Sequence, residues 1–132
     1  MSCVLDASAL LAYLQGEPGA EHVAEALTRP AAISAVNYAE ALAKLAEDGE
    51  TAEQLAQRFE TEGLVGGVVA VESVLAEDAT TIASLRRPTR HLGLSIADRT
   101  CLALALRLGL PVMTADRTWA ELGLDVEVQA IR

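Results

Sequence analysis

Short apolar runs alternate along the chain with longer stretches in which apolar residues recur at helical spacing. The short runs predict five strands, at Val4–Asp6, Ala31–Ser34, Gly67–Val71, Pro111–Thr114 and Val126–Ile131. The longer stretches predict helices at Ala7–Gln15, Gly19–Thr28, Val36–Glu47, Thr51–Glu62, Val74–Arg86, Ser95–Leu108 and Arg117–Leu122. Because continuously apolar strands separated by helices are typical of buried parallel sheets, we expect an α/β fold with three layers and a central parallel sheet of about five strands.

Breaks between these elements are short. Asp48 and Gly49 form a turn signal between two helices, Pro88 is expected between the fifth and sixth helices, and Gly109 is expected to cap the sixth. The 132 residues contain no internal repeat and no long linker. We therefore expect a single domain over residues 1–132.

Composition favours a folded protein outside the membrane. Hydrophobic residues make up 52% of the chain, which excludes a disordered protein. The two cysteines, Cys3 and Cys101, lie in apolar runs and are too few for a disulfide framework. The N-terminus lacks the pattern of a signal peptide, and no apolar run approaches the roughly 20 residues that span a bilayer. We expect a cytoplasmic protein.

Charge is distributed unevenly. The net charge is −9, and residues 1–85 hold three basic and 14 acidic side chains, a net charge of −11. Residues 86–117, in contrast, hold six arginines and two aspartates, a net charge of +4. The arginines are Arg86, Arg87, Arg90, Arg99, Arg107 and Arg117. This basic zone is compatible with a polyanionic substrate, although arginines often lie on a solvated helix face.

Four acidic residues form the candidate site, and we refer to them as the four acids: Asp6, Glu40, Asp98 and Asp116. Asp6 and Asp116 follow the first and fourth strands, at the edge of a parallel sheet where ligands bind. Glu40 and Asp98 lie in the first turns of helices expected to begin at the same edge. Each acid has an alternative structural role. Asp6 and Asp116 could cap the helices that follow them. Asp98 and Glu40 have the spacing of a capping box with Ser95 and Asn37.

Capping does not explain why all four acids fall at one edge. Neighbouring carboxylates repel each other unless a cation intervenes. Mg²⁺ and Mn²⁺ prefer oxygen ligands, and such an ion activates water and neutralises charge on a phosphoryl group. The pattern therefore favours phosphodiester hydrolysis with Mg²⁺ or Mn²⁺ as cofactor.

Three segments resemble the motifs of a PIN domain of the VapC toxin type, and the likeness covers nearly the whole chain. They are VLDASALLAYL (Val4–Leu14), SAVNYAEALAKL (Ser34–Leu45) and GLSIADRTCLALALRLGLPVMTADRTW (Gly93–Trp119). The resemblance implies a metal-dependent ribonuclease, the toxin of a toxin–antitoxin pair, with a five-stranded parallel sheet. It also implies RNA as substrate and a VapB-type antitoxin as partner. The apolar, alanine-rich helices Val36–Glu47 and Thr51–Glu62 suggest a homodimer, or else simply cover the sheet. The four acids occupy the family's acidic positions.

The same match implies roles for neighbouring residues. Ser8 and Thr114 are expected to line the cleft and to hold an acid or a water molecule by hydrogen bonds. Asn37 lies one helical turn before Glu40 and is expected to orient it. The remaining two are candidates for contact with substrate phosphate or with the antitoxin, or else solvent-exposed side chains: Arg99 and Arg117.

Two other functions are compatible with parts of the pattern. An aspartate-based phosphatase or phosphotransferase would use Asp6 as nucleophile. Haloacid-dehalogenase-like enzymes, however, need a second aspartate where this chain has Ser8, and the only lysine, Lys44, lies on a helix. A non-catalytic module that binds metal or protein through the same cleft is the second alternative.

Overall fold

The computed structural model describes all residues from Met1 to Arg132. Five strands are present: β1 (Val4–Leu5), β2 (Ala31–Ser34), β3 (Val69–Glu72), β4 (Val112–Thr114) and β5 (Val128–Ala130). Seven α-helices are present: α1 (Ala7–Gln15), α2 (Ala20–Ala26), α3 (Ala35–Leu45), α4 (Ala52–Thr61), α5 (Asp78–Ser84), α6 (Arg86–Thr89) and α7 (Ile96–Leu108). Three short 3₁₀ helices complete the structure: Ala46–Asp48, Arg90–Leu92 and Arg117–Glu121.

The five strands form one parallel sheet in the order β3-β2-β1-β4-β5. Val4 of the central strand lies opposite Ala32 of β2 and Val112 of β4. The chain runs outward from β1 to β3 and then returns to the other side of β1, so the strand order reverses between β1 and β4. The carboxyl ends of these two strands are therefore the place where an open α/β sheet forms its ligand cleft.

Alternating side chains of the strands fill two hydrophobic layers, one on each face of the sheet. Leu5 and Ile33 point to the layer that contains α1 and α2, whereas Val4, Ala32 and Val112 point to the layer that contains α7. All five residues are fully buried. The predicted three-layer α/β fold with a five-stranded parallel sheet is thus confirmed.

The predicted helix at Val74–Arg86 is wrong at both ends. The Leu75 amide donates to Asp78 Oδ2 (2.8 Å), and this bond holds a non-helical turn in front of α5. Pro88 lies inside α6, and not between helices as predicted. A proline is tolerated there because the first turn of a helix leaves its amides without intrahelical acceptors.

The ends of several other elements also shift. Asp6 belongs to the cap of α1 and not to the first strand, and the expected short helix after β4 is a 3₁₀ helix. The third strand begins two residues later than predicted, because the Gly66 amide donates to the Val69 carbonyl (2.9 Å) and closes a turn there. Gly109 caps α7 as expected, with φ of 66°. None of the helices combines the length and the apolar character that crossing a bilayer requires.

Candidate active site

A pocket of about 340 Å³ lies at the carboxyl ends of β1 and β4, and all four acids line it. They come from four elements: the end of β1, α3, α7 and the turn after β4. The remaining lining residues are Ala7, Ser8, Lys44, Ala115, Trp119 and Arg132. The fold therefore brings the four acids and Ser8 together, as the position of the strand ends predicted.

Asp6 is the most buried of the four acids, with 6% of its surface exposed. Its Oδ1 accepts from Ser8 Oγ (2.7 Å) and from the Ala9 amide (2.8 Å), and its Oδ2 accepts from Thr114 Oγ1 (2.6 Å). Burial raises the pKa of the Asp6 carboxyl above its ordinary value, and the nearby negative charge of Asp98 adds to that rise. The three hydrogen bonds act in the opposite direction on this pKa.

The hydroxyls of Ser8 and Thr114 connect β1 to the loop after β4. Ser8 Oγ accepts from the Ala115 amide (2.9 Å), and Thr114 Oγ1 accepts from the Asp116 amide (3.0 Å). Each hydroxyl thus accepts from one backbone amide while it donates to the Asp6 carboxylate. Asp6 and Asp116 are consequently held in a fixed relation across the strand pair.

Asp98 and Asp116 both cap helices, as the alternative structural interpretation anticipated. Asp98 Oδ2 accepts from the Ser95 amide (2.9 Å) in a capping box, and Asp116 Oδ1 accepts from the Thr118 amide (3.0 Å) and hydroxyl (2.6 Å). In each case one carboxylate oxygen makes the cap and the other makes no hydrogen bond within the protein. Capping and ligand binding are therefore compatible at these positions, because the cap fixes the side chain and leaves an oxygen free.

Asn37 does not orient Glu40 as predicted, because its side-chain amide is used elsewhere. Asn37 Oδ1 accepts from Ser34 Oγ, and Nδ2 donates to the Ala97 carbonyl (3.0 Å) at the start of α7. Asn37 therefore fastens the first turn of α3 to the first turn of α7. Through this contact it sets the distance between the two helices that carry Glu40 and Asp98.

The carboxylate oxygens of the four acids are hard donor atoms. The pocket therefore suits a hard divalent cation better than a softer metal ion. No three His, Cys, Asp or Glu side chains lie close enough together to surround one ion directly. Mg²⁺ commonly keeps several water molecules and uses only one or two carboxylates, so the arrangement fits a largely hydrated ion. Buried Asp6, which has no cationic partner in the protein, is the strongest indication that a cation belongs here.

The two arginines predicted to contact substrate do not line the pocket. Arg99 Nη1 donates to the Ile82 carbonyl (2.8 Å), so its guanidinium fastens α7 to α5. Arg117 is exposed and follows Asp116 without facing the acids. Being adjacent in sequence to an acid did not place either arginine in the site, because successive residues of a helix point in different directions.

The rest of the basic zone divides between a structural contact and a surface patch. Arg107 forms an ion pair with Asp78 (Nε–Oδ1 3.1 Å) between α7 and α5. Arg86, Arg87 and Arg90 are exposed and line a separate surface depression of about 420 Å³. We call these three residues the arginine patch.

Sequence reasoning missed five residues of the pocket wall, of which three have large side chains: Lys44, Trp119 and Arg132. Lys44 had a usable signal, because residues four apart on a helix share a face and Glu40 lies four residues earlier. Arg132 had none, because its position depends on where the segment after β5 packs.

A model of the PIN domain matches residues 3–124. A search of curated proteins gave no match.

Several solved structures share the fold over nearly their whole length. One is a toxin–antitoxin complex from Klebsiella pneumoniae, with a TM-score of 0.72, 20% identity and coverage of 99% of this chain and 98% of that chain. FitAcB from Neisseria gonorrhoeae gives a TM-score of 0.73 at 24% identity, and the match covers 98% of this chain and 97% of that chain. DNA-bound VapBC from Salmonella typhimurium gives a TM-score of 0.70 at 16% identity, and the match covers 100% of this chain and 99% of that chain. At these identities the likeness establishes the fold.

Proposed function

The chain belongs to the PIN-domain family, and from this membership we propose that its 132 residues form a single domain that hydrolyses RNA phosphodiester bonds with a divalent metal ion. The observation that carries the proposal is the convergence of four carboxylates from four elements on one pocket. Helix capping alone accounts for the local position of Asp6, Asp98 and Asp116 but gives no reason for their common orientation.

The proposed roles follow from how each acid is held. Asp6 is fixed by three hydrogen bonds and is the anchoring ligand, since its carboxylate cannot rotate without losing them. Asp98 and Asp116 each keep one free oxygen for the ion or for its water molecules. The Glu40 carboxylate makes no hydrogen bond or ion pair in the protein, so it is free to accept a proton from the attacking water.

Mg²⁺ or Mn²⁺ would be held by these carboxylates and would supply activation of water and neutralisation of the charge that develops on the phosphoryl oxygens. The hydroxyl and amide groups bonded to Asp6 exclude water from the side of its carboxylate that faces the protein interior. Polar contacts in such surroundings are stronger than in bulk water. Family resemblance gives products with 5′-phosphate and 3′-hydroxyl ends.

The test is incubation of the purified, partner-free protein with a defined structured RNA in Mg²⁺, in Mn²⁺ and in excess EDTA. We expect cleavage with either metal, none with EDTA, and none with Asp98→Asn. Asp125→Asn is the matched control, because Asp125 is an exposed acid outside the pocket. Cleavage that persists in EDTA or in Asp98→Asn would contradict the proposal.

The second part of the proposal is a toxin role in the cytoplasm, with a VapB-type antitoxin as partner and a homodimer as the assembly. Its support is the family resemblance together with structural neighbours that are toxin–antitoxin complexes. The surface offers a groove of about 320 Å³ with a mainly apolar lining, suited to an amphipathic helix. Its apolar residues include Tyr13, Leu14, Leu27, Leu64 and Val68.

Co-expression with the product of the small reading frame expected beside the gene tests this role. We expect a stable complex whose RNA cleavage is suppressed. Full activity and no complex would instead indicate a free-standing nuclease.

A further inference from the structure

Two cationic side chains line the acid pocket without being neutralised there. Lys44 lies on α3, one turn beyond Glu40, and Arg132 follows β5. The ion pairs of the protein are Arg58–Glu50 and Arg107–Asp78, so neither cation is bound to a carboxylate. Both side chains are exposed and accessible to a ligand.

The two cations belong to segments that follow the strands on either side of β1 and β4. Lys44 belongs to the helix that leaves β2, and Arg132 follows β5, whereas Asp6 and Asp116 follow the two strands between them. In strand order, Asp6 and Asp116 therefore lie between the two segments that bring a positive charge to the pocket. A chain that crosses the pocket along this edge meets a cation before and after the acids.

The position of Arg132 is fixed by the packing of the segment that carries it. The Ile131 amide donates to the Thr114 carbonyl (2.9 Å), and Arg132 Nη1 donates to the Pro18 carbonyl (3.0 Å). Gly19, with φ of 96°, allows the close approach, because a Cβ there would lie 2.5 Å from the Ile131 carbonyl oxygen. Since a guanidinium has five N–H donors, most of them remain free for an anion.

The net charge of the pocket indicates a function for Lys44 and Arg132. The four acids carry four negative charges when ionised, and one divalent ion offsets only two of them. A phosphodiester would then approach a negative pocket and be repelled. Lys44 and Arg132 bring two further positive charges to the pocket lining, and neither forms an ion pair with a carboxylate.

We propose that Lys44 and Arg132 bind the backbone phosphates on the two sides of the bond that is cut, and so guide single-stranded RNA across the acids. The inference rests on the proposed nuclease function and adds to it the residues that contact substrate. It replaces Arg99, which does not line the acid pocket, whereas Lys44 and Arg132 do. It also separates substrate positioning from the arginine patch, which shares no lining residue with the acid pocket.

The test is fluorescence anisotropy of a labelled single-stranded RNA in EDTA at several salt concentrations. The variants are Lys44→Gln, Arg132→Gln and the double variant. Each lost phosphate contact should reduce the slope of log affinity against log salt by about 0.7, and the double variant should lose about 1.4. Lys44→Arg keeps the charge and should keep the wild-type slope.

Arg29→Gln is the matched control. Arg29 is exposed and lies before β2, at the opposite edge of the sheet, and the substitution changes net charge by the same amount. With Mg²⁺ present, the pocket variants should raise KM while kcat stays near that of the wild type, as expected for a contact made equally in the ground and transition states.

Slopes for Lys44→Gln and Arg132→Gln that equal the Arg29→Gln slope would overturn the inference. That result leaves the proposed function intact if the wild type still cuts RNA with metal. Conversely, a wild type that binds RNA but does not cut it in any metal contradicts the proposed function, and the binding slopes still decide whether the two cations contact phosphate.

Discussion

Two buried aspartates are stabilised in different ways in this molecule. Asp78 (5% exposed) begins α5 and forms an ion pair with Arg107, in addition to its bond with the Leu75 amide. Asp6 (6% exposed) precedes α1 and receives bonds only from two hydroxyls and one amide. No cation of the protein forms an ion pair with Asp6, although three further acids line the same pocket.

The difference separates an acid that is paired within the fold from an acid that is not. A buried carboxylate is costly unless it is paired, and Asp78 meets that requirement within the fold. Asp6 meets it only in part, and its raised pKa records the unfavourable burial of the charge. On the proposed function, a divalent cation supplies the positive charge that the ion pairs of the protein do not bring to Asp6.

Asp6→Asn should have the largest effect on activity and should leave the fold intact. The asparagine keeps an oxygen for the Ala9 amide, so α1 retains its cap, but the anchoring charge is lost. Because metal activation contributes several kcal/mol to such reactions, we expect initial cleavage rates to fall at least about a hundredfold. A variant that retains more than a tenth of the wild-type rate would contradict the role of Asp6.

Asp78→Asn should lower the stability of the fold and leave the cleavage activity nearly unchanged. It removes the ion-pair partner of a guanidinium that is three-quarters buried (26% exposed), so the free energy of unfolding should fall by about 2 kcal/mol. Cleavage should stay near the wild-type rate at temperatures where the variant is folded. Urea denaturation measures the loss, and an unchanged midpoint would show that the buried ion pair does not stabilise the fold.

In the metal-free protein, the raised pKa of Asp6 predicts a pH dependence of stability. The folded state holds this proton more tightly than the unfolded state, whose aspartates titrate near pH 3.9. Stability contributed by the group is therefore lost as pH rises from about 3.9 through the folded-state pKa.

Melting temperatures of wild type and Asp6→Asn in EDTA, measured from pH 4 to 7, test this expectation. The melting temperature of the variant should rise relative to that of the wild type as pH increases. Above the folded-state pKa of Asp6 the difference should become constant. A melting temperature of the variant that falls relative to that of the wild type as pH rises would contradict the origin assigned to the shift.

The arginine patch should give the smallest effect. Replacement of Arg86, Arg87 and Arg90 by glutamine removes exposed charges outside the acid pocket. Because salt screens such charges over roughly 8 Å, we expect RNA affinity to fall by about threefold at physiological ionic strength. Anisotropy measures it, and a loss larger than that of Lys44→Gln with Arg132→Gln would place the main phosphate contacts in the patch.

The sheet and the acid positions could be predicted because both depend on local pattern. A short apolar run followed by an acid, as at Asp6, specifies a strand end and a cap at the same time. The parallel order then brings such ends to one edge without further information. The role of Ser8 came from the family resemblance, and Ser8 lies two residues from the acid that it holds.

Side chains whose roles depend on packing between distant segments could not be predicted. Arg99 was a candidate for contact with substrate or antitoxin, but the position of α5 decides that it reaches Ile82. Asn37 was assigned to Glu40, its neighbour on the helix, whereas its amide bonds a residue 60 positions later. Arg132 enters the pocket only because β5 ends against Gly19 and Thr114.

A Mn²⁺ titration that follows bound metal by calorimetry and RNA cleavage in parallel tests the central claim most directly. The account predicts that wild type and Asp78→Asn bind the ion and that cleavage rises with occupancy to the same midpoint. It also predicts that a variant with both Asp6→Asn and Asp98→Asn neither binds the ion nor cuts RNA. Equal Mn²⁺ binding by that double variant, or cleavage by the wild type before any metal is added, would contradict the claim that the four acids form a metal-dependent active site.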